Sequence, residues 1–193
     1  MNKTNAIVDT LAESIQLKHK ILQQPQLLAT IQAVIELGIE AYRNDKKLLF
    51  CGNGGSASDA QHLAAELSGR FYLDREPLFA EALHVNSSFL TATANDYDFS
   101  ETYARMLRAI GRRGDVLFAI STSGQSVNVI KAAQAAQTRG LSVVALTGEN
   151  GGQLGEYCDY LINIPSRDTP RIQEIHILVG HIICEQIEQA IFG

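Results

Sequence analysis

A chain of 193 residues, 46% of them hydrophobic and with a formal net charge of −5, is the length of one domain with a sizeable core. Its Lys and Arg are scattered, unlike the basic stripe of a nucleic-acid binder, and no apolar run approaches the roughly 20 residues of a membrane span. Cys51, Cys158 and Cys184 form no CxxC pair, and the start Met1-Asn2-Lys3-Thr4-Asn5, with Asp9 and Glu13 beyond, does not read as a signal peptide, so free thiols in a soluble cytoplasmic protein are expected.

Ile7, Leu11, Ile15, Ile21 and Leu22 recur at helical spacing. Pro25 marks a break and the start of a second helix, which carries Leu27, Leu28, Ile31, Val34, Ile35, Leu37 and Ile39 to about Arg43. A helical hairpin this apolar needs a partner, which the sheet and another subunit would share.

From there the pattern alternates. Short apolar strands are expected at Lys47–Cys51, Ala80–Val85, Asp115–Ser121, Leu141–Thr147 and Tyr160–Pro165. Helices are expected at Ser56–Gly69, from Ser87, at Phe99–Ile110, at Val127–Arg139 ending on Gly140, and from Pro170 to about Ile191. Strands alternating with helices predict an α/β domain, a parallel sheet covered on both faces. In such sheets ligands bind beyond the carboxyl ends of the strands. That rule selects the residues after Cys51, Val85, Ile120 and Leu146.

Two of these loops are rich in chemistry. Gly52-Asn53-Gly54-Gly55-Ser56-Ala57 fits G-x-G-x-x-A, a weak dinucleotide fingerprint that follows a strand and opens a helix. Asp74 stands near the distance of the ribose-binding acid, but Phe71–Leu73 is too short for the strand that should precede it. Ser121-Thr122-Ser123-Gly124-Gln125-Ser126 places four hydroxyls at a helix N-terminus, more than the one a cap requires. Hydroxyls and free N–H groups there cradle a phosphate without Lys or Arg, even in an acidic protein. Two such loops favour a phosphosugar over a dinucleotide.

His62 and Glu66, four apart on one helix face, offer a nitrogen and a carboxylate oxygen that suit zinc. The last helix offers Gln173, Glu174, His176, His181 and Glu185, and helical geometry does not choose among them. Spacing alone points to His181 with Glu185.

The run Cys51-Gly52-Asn53-Gly54-Gly55-Ser56-Ala57-Ser58-Asp59-Ala60-Gln61-His62 with Glu66, then Ala94-Asn95-Asp96, Ser121-Thr122-Ser123-Gly124-Gln125-Ser126, Leu146-Thr147-Gly148 with Gly151-Gly152, and Arg171-Ile172-Gln173-Glu174-Ile175-His176 resembles phosphoheptose isomerases. The likeness runs in order from about residue 45 to the end, and the N-terminal helices match in length and character only. The resemblance implies a single sugar-isomerase (SIS) domain over 1–193, a five-stranded parallel sheet flanked by helices. It also implies a homotetramer in which the helical hairpin of residues 1–45 serves oligomerisation. It implies conversion of sedoheptulose 7-phosphate to D-glycero-D-manno-heptose 7-phosphate, toward ADP-heptose and lipopolysaccharide; composition and hydropathy, for their part, lead us to expect no nucleic-acid or membrane partner.

By motif, the resemblance makes His62, Glu66, Gln173 and His181 the ligands of one Zn2+ per subunit, in place of the Glu185 that spacing favours. It gives the sugar Asn53, Gly54, Gly55, Asn95, Asp96 and Gln173, and the phosphate Ser121, Thr122, Ser123 and Ser126. Arg70 is a further active-site candidate. Asp168 stands earlier than the acid that some members carry at the position of Pro170. Glu66 is expected as the base and His181 as the acid of an enediol reaction. Two alternatives share the fold: a replication initiator-associating protein-binding module, and another SIS-type sugar-phosphate isomerase or sensor. The complete metal set favours the enzyme.

Overall fold

The computed structural model describes residues 3–193. Helices α1 (Lys3–Leu22) and α2 (Pro25–Arg43) form the expected hairpin, with Pro25 in the first turn of α2, where its missing N–H costs nothing. Then follow β1 (Leu48–Gly52), α3 (Gly55–Ser68), β2 (Ala80–Ala82), α4 (Ser87–Asp96), α5 (Thr102–Ile110), β3 (Val116–Ile120), α6 (Val127–Arg139), β4 (Ser142–Thr147), β5 (Tyr160–Asn163) and α7 (Thr169–Phe192). Gly140 ends α6 in the left-handed conformation, at φ 75°.

Some boundaries and one element differ from the sequence reading. The strand expected to reach Val85 stops at Ala82, because the chain turns there and the Val85 N–H bonds the Ala82 carbonyl. The helix expected from Phe99 begins as a 3-10 turn, Phe99–Glu101, since the Asp98 carboxylate accepts the Ser100 N–H and tightens that turn. A second 3-10 segment, Gln153–Tyr157, was not expected.

All five strands are parallel, in the order β2-β1-β3-β4-β5. From the central pair β1 and β3 the chain winds outward in opposite directions, so their carboxyl ends are the switch point of the sheet. Every residue of β1 and β3 is buried. On one face Leu48, Phe50, Val116, Phe118 and Ile120 meet α2, α3 and α7; on the other Leu49, Cys51, Leu117 and Ala119 meet α5 and α6. Phe50 stacks on Phe118 with ring centroids 4.9 Å apart. At the amino ends of these strands Lys47 pairs with buried Asp115 at 2.6 Å.

Helix α1 is only half used. Leu17 and Ile21 are buried, while Ile7, Val8, Leu11, Ile15 and Leu22 are exposed. Ser14 donates to Glu174 at 2.8 Å and ties α1 to α7. No helix among the described residues is long and apolar enough to cross a membrane.

Candidate active site

The carboxyl ends of β1 and β3 open into a cleft of about 300 Å3 lined by Asn53, Gly54, Gly55, Ser56, Ile120, Ser121, Thr122, Ser126, Thr169 and Gln173. Both glycine- and serine-rich loops are therefore on one site, at the switch point of the sheet. Of the described residues lining it, none is charged. Larger hollows lie between α5 and α6 and beside α2. In the first, Lys131 and Arg108 are already paired with Glu101; the second adjoins the amino ends of the strands.

The loop walls are held rigidly. Asn53 and Asn128 exchange amide hydrogen bonds of 2.8 and 2.9 Å. The Tyr103 hydroxyl donates to the Gly52 carbonyl at 2.6 Å, and burial pushes that phenol's pKa up, so it stays a donor. The Ser121 hydroxyl, just past β3, donates at 3.1 Å to Ser126, which stands at the start of α6. Gly124 adopts φ +64°, and a Cβ there would lie 2.1 Å from the Gly151 carbonyl oxygen. That contact fits the second loop against Gly151-Gly152. Gln173 lies flat over Gly55, whose added Cβ would stand 2.6 Å from its Nε2.

Two helical turns further along α3, His62, Glu66 and His181 converge, their ligand atoms all within 4.8 Å of one another. His62 Nε2 is 3.0 Å from Glu66 Oε1 and 2.9 Å from His181 Nε2. Gly180 makes the approach of α3 and α7 possible, for a Cβ there would lie 2.5 Å from Leu63. A tetrahedral zinc with ligands at about 2.0–2.1 Å spaces its ligand atoms roughly 3.3 Å apart. The two edges that meet at His62, 2.9 and 3.0 Å, would open by a few tenths of an ångström around such an ion, and the third stays within 4.8 Å.

The SIS domain model matches residues 5–148. The phosphoheptose isomerase of Mycobacterium tuberculosis is 54% identical over 185 residues, 96% of this chain and 94% of its own length. The chain belongs to the phosphoheptose isomerase family. Solved phosphoheptose isomerases share the fold. That of Neisseria gonorrhoeae has 43% identity and a TM-score of 0.90, covering 96% of this chain and 98% of its own. That of Francisella tularensis has 34% identity and a TM-score of 0.92, covering 98% and 100%. The similarity takes in the N-terminal helices as well, beyond the residue-45 start read from the motifs.

As a phosphoheptose isomerase family member, the chain has most expected site residues in the cleft or the His/Glu cluster. Ser123 instead lines a neighbouring hollow with Thr122, and its hydroxyl accepts the Gln125 N–H. Asn95 and Asp96 bond to each other at 2.9 Å on the exposed end of α4 and do not line the cleft. Arg70 is exposed beyond α3. Asp168 precedes α7, 3.8 Å from Arg171.

The spacing-based choice of Glu185 is overturned, because the cluster joins His181 to His62 and Glu66 and omits Glu185. His176 belongs to the core. Its Nε2 faces the Thr147 carbonyl at 3.1 Å, and burial lowers its pKa to about 4, which keeps the ring neutral.

The dinucleotide reading loses its second strand. Backbone N–H groups of Phe71, Tyr72 and Leu73 all donate to the buried Glu188 carboxylate. Burial would raise the Glu188 carboxyl, but these donors and Arg75 outweigh it and hold it below the usual range. Sequence reading missed Arg75, Asn128, Tyr103 and Glu188. For Glu188 a signal existed, an acid one place after Ile187 on the buried side of α7.

Proposed function

We propose that this chain interconverts sedoheptulose 7-phosphate and D-glycero-D-manno-heptose 7-phosphate in the cytoplasm with one Zn2+ per subunit, supplying heptose for lipopolysaccharide-type glycans. The observation that carries the reading is the His62–Glu66–His181 cluster set beyond a neutral, hydroxyl-rich cleft.

The phosphate sits on Ser121, Thr122 and Ser126 and the open N–H groups at the start of α6, where partial positive charge replaces a cation; Ser123 borders the same loop. Asn53, Gly54, Gly55 and Gln173 let the sugar lie close to the backbone. Asn95 and Asp96 enter as sugar contacts on the family resemblance alone. From Gly55 to His62 the helix rises about 10 Å. An extended seven-carbon chain spans roughly 8 Å with bonds of about 1.5 Å, so a phosphate in the cleft leaves C1 and C2 near the cluster.

His62, Glu66 and His181 hold the metal, with Gln173 the fourth ligand by family motif. The ion, when bound, polarises the carbonyl and balances charge that develops on oxygen. Glu66 would hold the metal with one oxygen, leaving the other to take the C1 proton. An enediol forms, and Glu66 returns the proton to C2. His181 moves the hydroxyl proton between O2 and O1, so the net change is a ketose become an aldose.

Incubation with sedoheptulose 7-phosphate, followed by NMR of the sugar, tests the reading directly. Aldose should accumulate, chelator should abolish turnover, and added zinc should restore it. Full activity of a metal-free preparation removes the metal from the proposal. No turnover of this sugar, with tight binding of it, favours a sensor or protein-binding module instead. Replacing Ser121 and Ser126 together by Ala should raise KM by roughly tenfold or more, at about 1 kcal/mol for each neutral hydrogen bond lost, with kcat within about threefold. An unchanged KM would move the phosphate elsewhere.

The exposed apolar stripe of Ile7, Leu11 and Ile15 on α1 supports a homotetramer built through the residue 1–45 hairpin. A stripe of that kind is buried in a symmetric assembly.

A further inference from the structure

Arg75 and Glu188 form a charged pair in the interior, their side chains 3% and 0% exposed, joined at 2.9 Å. Burying two charges is costly unless every polar atom is satisfied, and here each is. Glu188 Oε1 accepts from the Phe71 N–H and Arg75, and Oε2 accepts from Tyr72 and Leu73. The rest of the guanidinium donates to the carbonyls of Glu66, Leu67, Gly69 and Glu76 at 2.8–3.1 Å. Glu66 and Leu67 lie in the last turn of α3, whose carbonyls have no partner within the helix.

The position of this pair matters as much as its chemistry. Glu188 lies two turns beyond His181, on the same side of α7. Arg75 grips the backbone of Glu66 itself. The bridging loop also lays Phe71 against His181, with ring centroids 5.7 Å apart. One guanidinium thus joins the helix that carries His62 and Glu66 to the helix that carries His181.

We propose that the Arg75–Glu188 clasp is a positioning device that sets the spacing of the His62–Glu66–His181 ligands, and so tunes metal affinity without touching metal or sugar. The proposal rests on the metal reading above. Partners behind metal ligands typically govern affinity by roughly 10–100-fold.

The test is zinc affinity of the full-length chain stripped of metal, by competition with a chromophoric chelator. Arg75→Lys keeps the charge but loses the fork onto α3, and Glu188→Asp withdraws the carboxylate by one methylene. Asp115→Asn, which damages the buried pair at the opposite end of the sheet, controls for general destabilisation. Arg75→Lys, or Glu188→Asp should that variant not fold, should bind zinc roughly tenfold more weakly or worse. Asp115→Asn should match wild type in zinc affinity even where its thermal stability falls as far. With zinc saturating, kcat should drop while KM stays within about twofold, since the phosphate loop is remote from the clasp. Wild-type zinc affinity in a folded clasp variant overturns the clasp alone. An equal loss in Asp115→Asn also overturns it, as the effect would then be general. A wild-type chain that takes up no zinc overturns the metal reading and the clasp's role with it.

Discussion

Glu66→Gln, with zinc supplied, is expected to lower kcat by roughly 10²–10⁴-fold, the usual worth of a positioned base. The amide keeps an oxygen that can face the metal but cannot take the C1 proton. The phosphosugar should still bind within a few-fold of wild type, because Ser121, Thr122 and Ser126 lie two helical turns away, around the cleft. Single-turnover kinetics and binding by calorimetry separate these effects. Turnover within tenfold of wild type would take the base assignment from Glu66. Zinc content must be measured in the same samples. A variant that holds a full equivalent of zinc and binds sugar, yet does not turn over, isolates proton transfer as what was lost.

Gly124→Ala should damage stability and binding together. At φ +64° an alanine is already strained by about 1–2 kcal/mol. Its methyl would also stand 2.1 Å from the Gly151 carbonyl oxygen, and rigid backbone cannot yield as a side chain would. Overpacking adds about 1–3 kcal/mol. A sum near 3 kcal/mol lowers Tm by roughly 6–12 °C for a chain of this size. The displaced loop also carries the bonds from Gly148 N–H to the Thr122 carbonyl and from Leu154 N–H to the Gly124 carbonyl, so KM should rise as well. Tm within two degrees of wild type, with KM unchanged, would mean that the loop relaxes freely.

Much of the architecture was legible because it is local. Short continuous apolar runs between glycine- and proline-marked helices located all five strands. Gly140 and Pro25 stand at their helix ends for reasons that any one sequence displays. The two loops could be ranked by hydroxyl content alone. What could not be read depends on which distant segments meet. His62 and His181 are 119 positions apart, and spacing along one helix offered Glu185 as readily as the true neighbour. The small residue that admits them, Gly180, reads in sequence as an ordinary helix-weakening glycine. His176 looked like a ligand because its residue type says nothing of burial. The Asn53–Asn128 exchange joins the first loop to the first turn of α6 through amides that sequence presents only as polar residues near turns. Phe71–Leu73 resembled a truncated strand, whereas its N–H groups are spent on one carboxylate from the far end of the chain.

The absence of charge among the described residues lining the cleft has a consequence for catalysis in both directions. Neutral hydroxyls and backbone dipoles leave no mobile counterions to displace, so added salt should weaken the grip far less than it weakens lysine–phosphate pairs. The phosphate we propose they hold is also the same group in ketose and aldose. Its binding energy is therefore common to substrate, product and the state between them. Such a handle tethers the molecule without tilting the balance between the two sugars. The direction of flux is left to their concentrations, and discrimination falls to the end of the chain where the bonds change.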